Sequence, residues 1–568
     1  MNAKELLRNF WILFRGYWSS EEKWRARGLL AVVIVLGFAA VGFLVEINSW
    51  YKEFYDALQN YEEELFLPLV GEFLALALAY IIISVYAIYL RQLLEIRWRK
   101  WMTNNYLESW LKNQTYYRLQ DSTDNPDQRI SEDISQFVTL TLQLITGFLR
   151  QIITLISFGV ILWNLSGALD LEFGGTEFSI PGYMFWLSLA YAIVGTVGVH
   201  QVGKKLIGLN FDQQRYEANF RFGMMRIREN AESIAFYRGE ESESESLKDK
   251  FSYVIKNFRA LMTKTKHLNF YVTGYSQLAV IFPLLIAAPR YFRNEIQLGG
   301  LMQISSAFGR VQDALSYFIE AYDGIANLAA VINRLSGFTA HVEEVQKIES
   351  HVEKSKADEL TISGLNISLP DGRELLKNFS GSLKNSGSLL VTGASGCGKS
   401  TFLRTIAGIW FYASGKISLP ENSRVMFLPQ NPYLPLGTLR RALIYPAAEI
   451  NSPPDEKLRE VLQLVELPKL IERLDDTEDW SGILSGGEKQ RLAFARVLLS
   501  APDYIFLDEA TSALDEPREI EMYELLKEKL PGMTIVSVGH RSTLFKIHDT
   551  ELKFDGKGNW QLRPIVAD

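Results

Sequence analysis

Six apolar stretches, near residues 28–46, 66–90, 137–164, 179–200, 268–290 and 297–320, constrain this 568-residue chain more than any other feature. A helix needs about 20 apolar residues to cross a bilayer, and several of the stretches exceed that. One alone would read as a buried core helix. Six in succession predict a membrane domain over residues 28–335, made of six transmembrane helices. The last is the least apolar, because Arg310 and Asp313 interrupt it.

The loops between the stretches carry uneven charge. Lys4, Arg8, Arg15, Lys23, Arg25 and Arg27 precede the first stretch. Arg91, Arg97, Arg99, Lys100, Lys112, Arg118 and Arg129 follow the second, and Lys204, Lys205, Arg215, Arg221, Arg226 and Arg228 follow the fourth. The alternate loops are poor in Lys and Arg: 47–65 holds only Lys52, and 165–178 holds none. The positive-inside rule then places both termini in the cytoplasm. The two basic loops are long and read as helical extensions of the spans, with turn-like tips at residues 121–127 and 237–240. Residues 1–27 carry Phe10, Trp11, Phe14 and Trp18 at roughly helical spacing beside Arg8 and Arg15, which suggests an amphipathic elbow helix lying on the lipid surface; a simple extension of the first span is the other reading. Charges of both signs and the lack of a cleavage-like site argue against a signal peptide.

Polar residues inside spans are costly and point to function. Arg150 and Gln151 interrupt the third stretch; Gln303, Ser305, Ser306, Arg310 and Asp313 give the sixth a polar stripe. They either line a substrate cavity or, for Arg310 and Asp313, pair between helices. The net charge of -7 is modest and no basic tract stands apart from the loops, so nucleic acid is not an expected partner. The single cysteine, Cys397, excludes an intramolecular disulfide; its alkylation is expected to block nucleotide binding.

After a charged linker, 336–358, the remainder (359–568) has a different character. Leu389-Leu390-Val391-Thr392 is a short apolar strand leading into Gly393-Ala394-Ser395-Gly396-Cys397-Gly398-Lys399-Ser400, a Walker A loop. Its amides and the following helix N-terminus suit phosphates. Lys399 would reach the β- and γ-phosphates of ATP, Ser400 would hold Mg²⁺, and Thr401 would contact a phosphate nearer the ribose. Gln430 lies in a Q-loop-like Leu-Pro-Gln-Asn-Pro and would sense Mg²⁺ and the attacking water. The strand Tyr504-Ile505-Phe506-Leu507 delivers Asp508, for Mg²⁺, and Glu509, to polarise water for in-line attack. His540 would contact the γ-phosphate. Ser485, Gly486 and Gly487 form a signature sequence, and Asp515 closes a D-loop.

The order of these motifs identifies the C-terminal part as an ATP-binding cassette, an α/β P-loop fold. In that superfamily two cassettes face head to tail, and the signature of one caps the γ-phosphate held by the other, so one cassette per chain implies a dimer. Intact motifs suit a homodimer, with a heterodimer also open. Many cassettes stack adenine on an aromatic residue where this chain has Leu369.

Asn125-Pro126-Asp127-Gln128-Arg129-Ile130 and Ala231-Glu232-Ser233-Ile234-Ala235-Phe236-Tyr237 resemble the inner-loop motifs of D-type half-transporters. Phe54-Tyr55-Asp56-Ala57-Leu58-Gln59 resembles the SbmA/BacA-like permease domain fused to a cassette. The resemblance implies an exporter-type α-helical membrane domain and a multi-pass homodimer in a bacterial inner membrane. It also implies ATP-driven uptake of a hydrophilic or amphipathic solute such as cobalamin, a bleomycin-like compound or a peptide. Acyl-CoA or lipid transport, export, and an ATP-gated channel are the alternatives.

Overall fold

Backbone inside lipid has no water to bond, so a crossing segment must satisfy its own N–H and C=O groups, as a helix does. The computed structural model describes residues 3–119, 125–173, 176–348 and 350–565. They fall into two compact units, one of Met1–Lys112 with Ser122–Val342 and one of Asn113–Asp121 with Glu343–Asp568.

The first unit is built of long helices: Ala3–Trp18, Lys23–Gln59, Glu63–Leu111, Ile134–Ser166, Tyr183–Glu229, Glu240–Phe292 and Leu298–Gln346. The 49 residues of Glu63–Leu111 extend about 70 Å at 1.5 Å per residue, far beyond a bilayer core, so the basic loops are largely helix. The second tip is a turn, with Arg238 left-handed (φ 52°) between Tyr237 and Gly239. Of the first tip, residues 121–124 lie outside the described residues. Five helices are long and apolar enough to cross a membrane: Lys23–Gln59, Glu63–Arg118, Pro126–Ser166, Tyr183–Glu229 and Glu240–Phe292. Leu298–Gln346 is long enough but does not join them among the described residues, because polar side chains dilute it. Between the third and fourth apolar stretches, Ala168–Phe173 and Thr176–Pro181 pair as an antiparallel hairpin where the sequence suggested only a short loop.

The N-terminal helix ends at Trp18, and a turn stitched by Ser20 precedes Lys23, so it is not a continuous extension of the next helix. Its aromatic face packs on Trp98: Phe14 edge-on at 5.5 Å and Tyr17 stacked at 5.6 Å. Deeper in the unit, Leu44, Phe158, Leu162, Met184, Phe308 and Val311 form one apolar core.

The motif at 54–59 has a mechanical role. The first amides of a helix lack intrahelical partners. Here Asp56 Oδ1 accepts from Gly299 N (2.7 Å) and Gln59 Oε1 from Leu298 N (2.6 Å), capping helix Leu298–Gln346 from the side chains of another helix. A Cβ on Gly299 would fall 1.9 Å from the Lys52 carbonyl oxygen and 2.6 Å from Asp56 Oδ1. Gly299→Ala must therefore push the two helices apart, and overpacking of this kind costs about 1–3 kcal/mol; we expect a lower melting temperature for the detergent-solubilised variant, while Gly309→Ala, with open space around it, melts like the wild type.

A second buried clasp was not evident in the sequence. Asp133, 1% exposed, accepts a bidentate pair from Arg334 (2.6 and 2.8 Å) and a third bond from Arg129 (3.0 Å). Two guanidinium partners are what a buried carboxylate needs.

The second unit has two sheets. The six-stranded one runs Trp560–Pro564, Thr550–Phe554, Ser388–Gly393, Thr534–Val538, Tyr504–Asp508 and Val425–Leu428, all parallel except the first strand. The four-stranded one runs His351–Lys356, Ala413–Leu419, Leu360–Ser368, Glu374–Leu383. His351–Lys356 pairs with Ala413–Leu419 along its whole length, so this sheet begins ahead of residue 359, inside the stretch expected to be linker. That strand buries only Val352; backbone pairing rather than an apolar pattern holds it. Crossing points of the parallel strands place the ends of Ser388–Gly393, Tyr504–Asp508 and Thr534–Val538 side by side, the usual position of a ligand site in such sheets.

Candidate nucleotide site

The loop after strand Ser388–Gly393 is shaped by glycines. Gly393 has φ 142° and a Cβ there would meet the Phe554 carbonyl oxygen at 2.6 Å; Gly398 (φ 103°) caps helix Lys399–Ala407. Ala394, Ser395 and Gly396 are exposed on the rim. Lys399 is buried, its Nζ donating to the carbonyls of Gly393 (2.9 Å) and Ala394 (3.1 Å), so its ammonium is held inside the loop's own curve. Thr401 follows in the first turn of that helix. Cys397 is 3% exposed and packs in the core with Phe402 and Val391; a thiol reagent reaches it only when the loop opens, which tempers the block expected from alkylation.

Strand Tyr504–Asp508 brings the first carboxylate to this loop. Ser400 Oγ donates to Asp508 Oδ1 at 2.9 Å. Burial pushes the Asp508 carboxyl above the usual range; the bond from Ser400 opposes this, and the charge of Glu509 adds to it. A hydroxyl and a carboxylate side by side are hard oxygen donors that fit Mg²⁺ bound mainly through phosphate and water. Groups of three or more His, Cys, Asp or Glu suited to a metal are absent among the described residues, so an all-protein cage is not the pattern here.

Glu509 leaves the strand in a left-handed conformation (φ 48°), unusual for a non-glycine residue and of the kind found at functional sites. Its amide is held by the Val538 carbonyl at 3.1 Å. Gln430 Nε2 donates to its Oε2 at 3.1 Å, and His540 Nδ1 lies 4.0 Å from its Oε1. Gln430, Glu509 and His540 thus meet around one point, although 110 residues separate the outer two in sequence (540 minus 430). His540 itself is 72% exposed at the side chain, open to an incoming group.

Ser485 caps helix Gly486–Ser500 in a reciprocal capping box with Glu488. The backbone amide and then the hydroxyl of Ser485 hold the Glu488 carboxyl below its ordinary range. Among the described residues no hydrogen bond joins Ser485, Gly486 or Gly487 to the Walker A loop of the same chain. Asp515 caps helix Glu516–Lys529, accepting from Arg518 N. Two residues that sequence reading passed over hold the D-loop. Arg541 donates to the carbonyls of Leu514 (2.7 Å) and Ser512 (3.1 Å), and Gln490 bonds both Ser512 and Ala513. Their signal was only adjacency to motif residues.

Leu369 sits in the hairpin between strands Leu360–Ser368 and Glu374–Leu383, closed by its own amide bonding the Arg373 carbonyl. Trp410 Nε1 donates to the neighbouring Ser368 carbonyl at 2.9 Å. Phe411, next along, carries the guanidinium of Arg118 at 3.9 Å from its ring centroid, a cation–π contact within the second unit.

The cassette is an ABC-type ATPase, and it is fused to a helical membrane domain. Residues 13–292 match the family described as ABC transporter transmembrane region 2, and residues 376–512 the family described as ABC transporter. The inner membrane ABC transporter ATP-binding protein YddA of Escherichia coli is 36% identical over 97% of this chain and 98% of its own. The human lysosomal cobalamin transporter ABCD4 is 29% identical over 97% of this chain and 94% of its own. A bacterial Atm1-family ABC exporter with ATP bound superposes with a TM-score of 0.70 at 17% identity, covering 95% of this chain and 94% of that one, which shows the exporter-type fold. The chain belongs to the ABC transporters, as a half-transporter related to the D-type members. It is a multi-pass membrane protein that binds ATP and couples its hydrolysis to transport.

Proposed function

We propose that the chain works as a homodimer that takes a hydrophilic or amphipathic solute into the cytoplasm, with cobalamin the first candidate. The observation that carries this is a cavity of about 630 Å³ in the first unit, whose lining includes Arg91, Arg150, Gln143, Gln151, Tyr80 and Tyr317 together with apolar residues such as Val33, Phe38 and Leu144. Among the described residues Arg150 Nη2 donates to Tyr80 OH alone, at 3.3 Å, and Arg91 Nε is buried with no partner. Two guanidiniums with so little to bond in apolar surroundings favour a polar or anion-bearing cargo. Of the residues in the sixth stretch, Gln303 instead packs against Asn48, whose Nδ2 donates to its carbonyl, while Ser305, Ser306, Arg310 and Asp313 are not among the cavity's lining residues.

The likeness to ABCD4 supports cobalamin, and that to YddA supports an inner membrane. We place both termini and the cassette in the cytoplasm, with Leu298–Gln346 as the sixth crossing helix. In each of two composite sites, the Walker A amides and Lys399 hold the phosphates, and Ser400, Asp508 and Gln430 would hold Mg²⁺. Glu509 polarises water, His540 steadies the γ-phosphate, and Ser485, Gly486 and Gly487 come from the partner. Mg²⁺ would neutralise charge developing on the phosphates. The SbmA/BacA-like affinity is part of the same reading, carried by the 54–59 motif.

Arg150→Ala tests the cavity. Purified protein in nanodiscs is expected to keep its basal ATPase within about twofold while losing most of the stimulation by cobalamin, the contact of a charged hydrogen-bonding group contributing about 1.5–3 kcal/mol. Unchanged stimulation would make Arg150 a packing residue and remove the cavity from the account.

A further inference from the structure

Gln490 is 3% exposed, and nothing in the scheme above uses it. It lies five residues past Ser485, in the signature helix Gly486–Ser500. Its amide is fully occupied by two neighbouring loops: Nε2 donates to the Gln430 carbonyl (3.1 Å) and to Ser512 Oγ (3.1 Å), and Oε1 accepts from Ala513 N (2.9 Å). Gln430 is the residue whose own side chain reaches Glu509, and Ser512 and Ala513 belong to the D-loop. One side chain therefore joins the signature helix, the Q-loop and the D-loop. Only a carboxamide supplies two donors and an acceptor at one site.

The surroundings leave little play. A Cβ on Gly486 would lie 3.2 Å from Ala513 Cβ, and one on Gly487 would lie 3.3 Å from the Ala513 carbonyl oxygen. Arg541, next to His540, also holds the D-loop, through the Ser512 and Leu514 carbonyls. A buried amide needs its bonds satisfied wherever it sits, but these bonds end on the loops that carry Gln430 and Asp515. They link the signature helix to the residue whose side chain hydrogen-bonds Glu509.

We propose that Gln490 is a positioning residue for hydrolysis: when the signature engages the nucleotide held by the partner cassette, Gln490 shifts the Q-loop and D-loop together and sets the Gln430–Glu509 geometry at its own site. This rests on the two composite sites proposed above. The step adds no covalent chemistry; it aligns the carboxylate that polarises water.

The test is steady-state ATPase on the full chain in nanodiscs, with ATP as the probe. Gln490→Glu keeps the acceptor for Ala513 N but presents a carboxylate to the Gln430 carbonyl; Ser512→Ala removes one bond at an exposed position and leaves the core untouched. A reacting group misplaced by 1 Å costs on the order of 100-fold, so Gln490→Glu is expected to lower kcat by about tenfold or more with the KM for ATP within about twofold. Ser512→Ala is expected to lower kcat less, in the same direction, and both variants should bring the Hill coefficient for ATP from about 2 toward 1. Wild-type kcat and Hill coefficient in both variants would overturn the proposal, as would a rise in KM alone. Glu509→Gln assayed beside them separates the two claims. If it is inactive while the others match the wild type, only the role of Gln490 falls; if it turns over normally, Glu509 is not the group that polarises water, and the alignment assigned to Gln490 falls with it.

Discussion

Glu509→Gln binds ATP as tightly as the wild type and hydrolyses at least about 100-fold more slowly, the scale of a lost general base. The substitution keeps the shape of the side chain and one carbonyl oxygen, so the bond from Gln430 Nε2, now 3.1 Å long, has an acceptor still. What goes is the charge that draws a proton from water. The left-handed backbone at Glu509 and the amide bond to Val538 are independent of the side chain, so the fold is expected to survive. Vanadate-free trapping of labelled ATP on the purified protein measures the retained binding, and phosphate release measures the loss. Turnover near wild type would mean that another group does the work, with His540 the first to examine.

Lys399→Ala produces the second large effect, on binding itself. The ammonium is held by the Gly393 and Ala394 carbonyls inside the loop, and it is the only lysine in that loop. A hydrogen bond from a charged group contributes about 1.5–3 kcal/mol, which at the upper end is on the order of 100-fold in the dissociation constant. Equilibrium binding of ATP to the variant should weaken by that order, with hydrolysis falling in step. Lys399→Arg is no substitute, because a planar fork does not fit a cradle shaped for a point charge. Unaltered ATP affinity in Lys399→Ala would place the phosphates elsewhere.

These two residues were legible in the sequence because their neighbours are fixed by chemistry: a strand, a glycine-rich turn and a helix must follow in that order for Lys399, and a buried strand must precede Glu509. The long helices were legible for a similar reason, since apolar runs bounded by basic loops have few other folds. Where function depends on contacts between distant segments, the sequence was silent. Gln490 and Arg541 look like ordinary polar residues beside motifs until the Q-loop and D-loop close on them. Asp133 and Arg334 stand 201 positions apart, and only helix packing reveals that each is the other's partner. The strand His351–Lys356 hid because it carries a single buried side chain. Leu298–Gln346 is the converse: its polar stripe blurs the membrane signal while its N-terminus is capped by Asp56 and Gln59, giving the 54–59 motif a physical purpose that pattern resemblance alone did not supply. At Leu369 the expected aromatic is missing, and Trp410 is tied to the hairpin backbone beside it through the Ser368 carbonyl.

Transport of a polar solute driven by the cassette is the central claim. The direct measurement is movement of labelled cobalamin across proteoliposome membranes in which only outward-facing cassettes receive ATP and Mg²⁺, with Glu509→Gln as the control. ATP-dependent movement toward the cassette side, absent in the variant, is the expected result. Robust ATP hydrolysis with no movement of cobalamin, or movement away from the cassettes, would overturn cobalamin uptake by this chain.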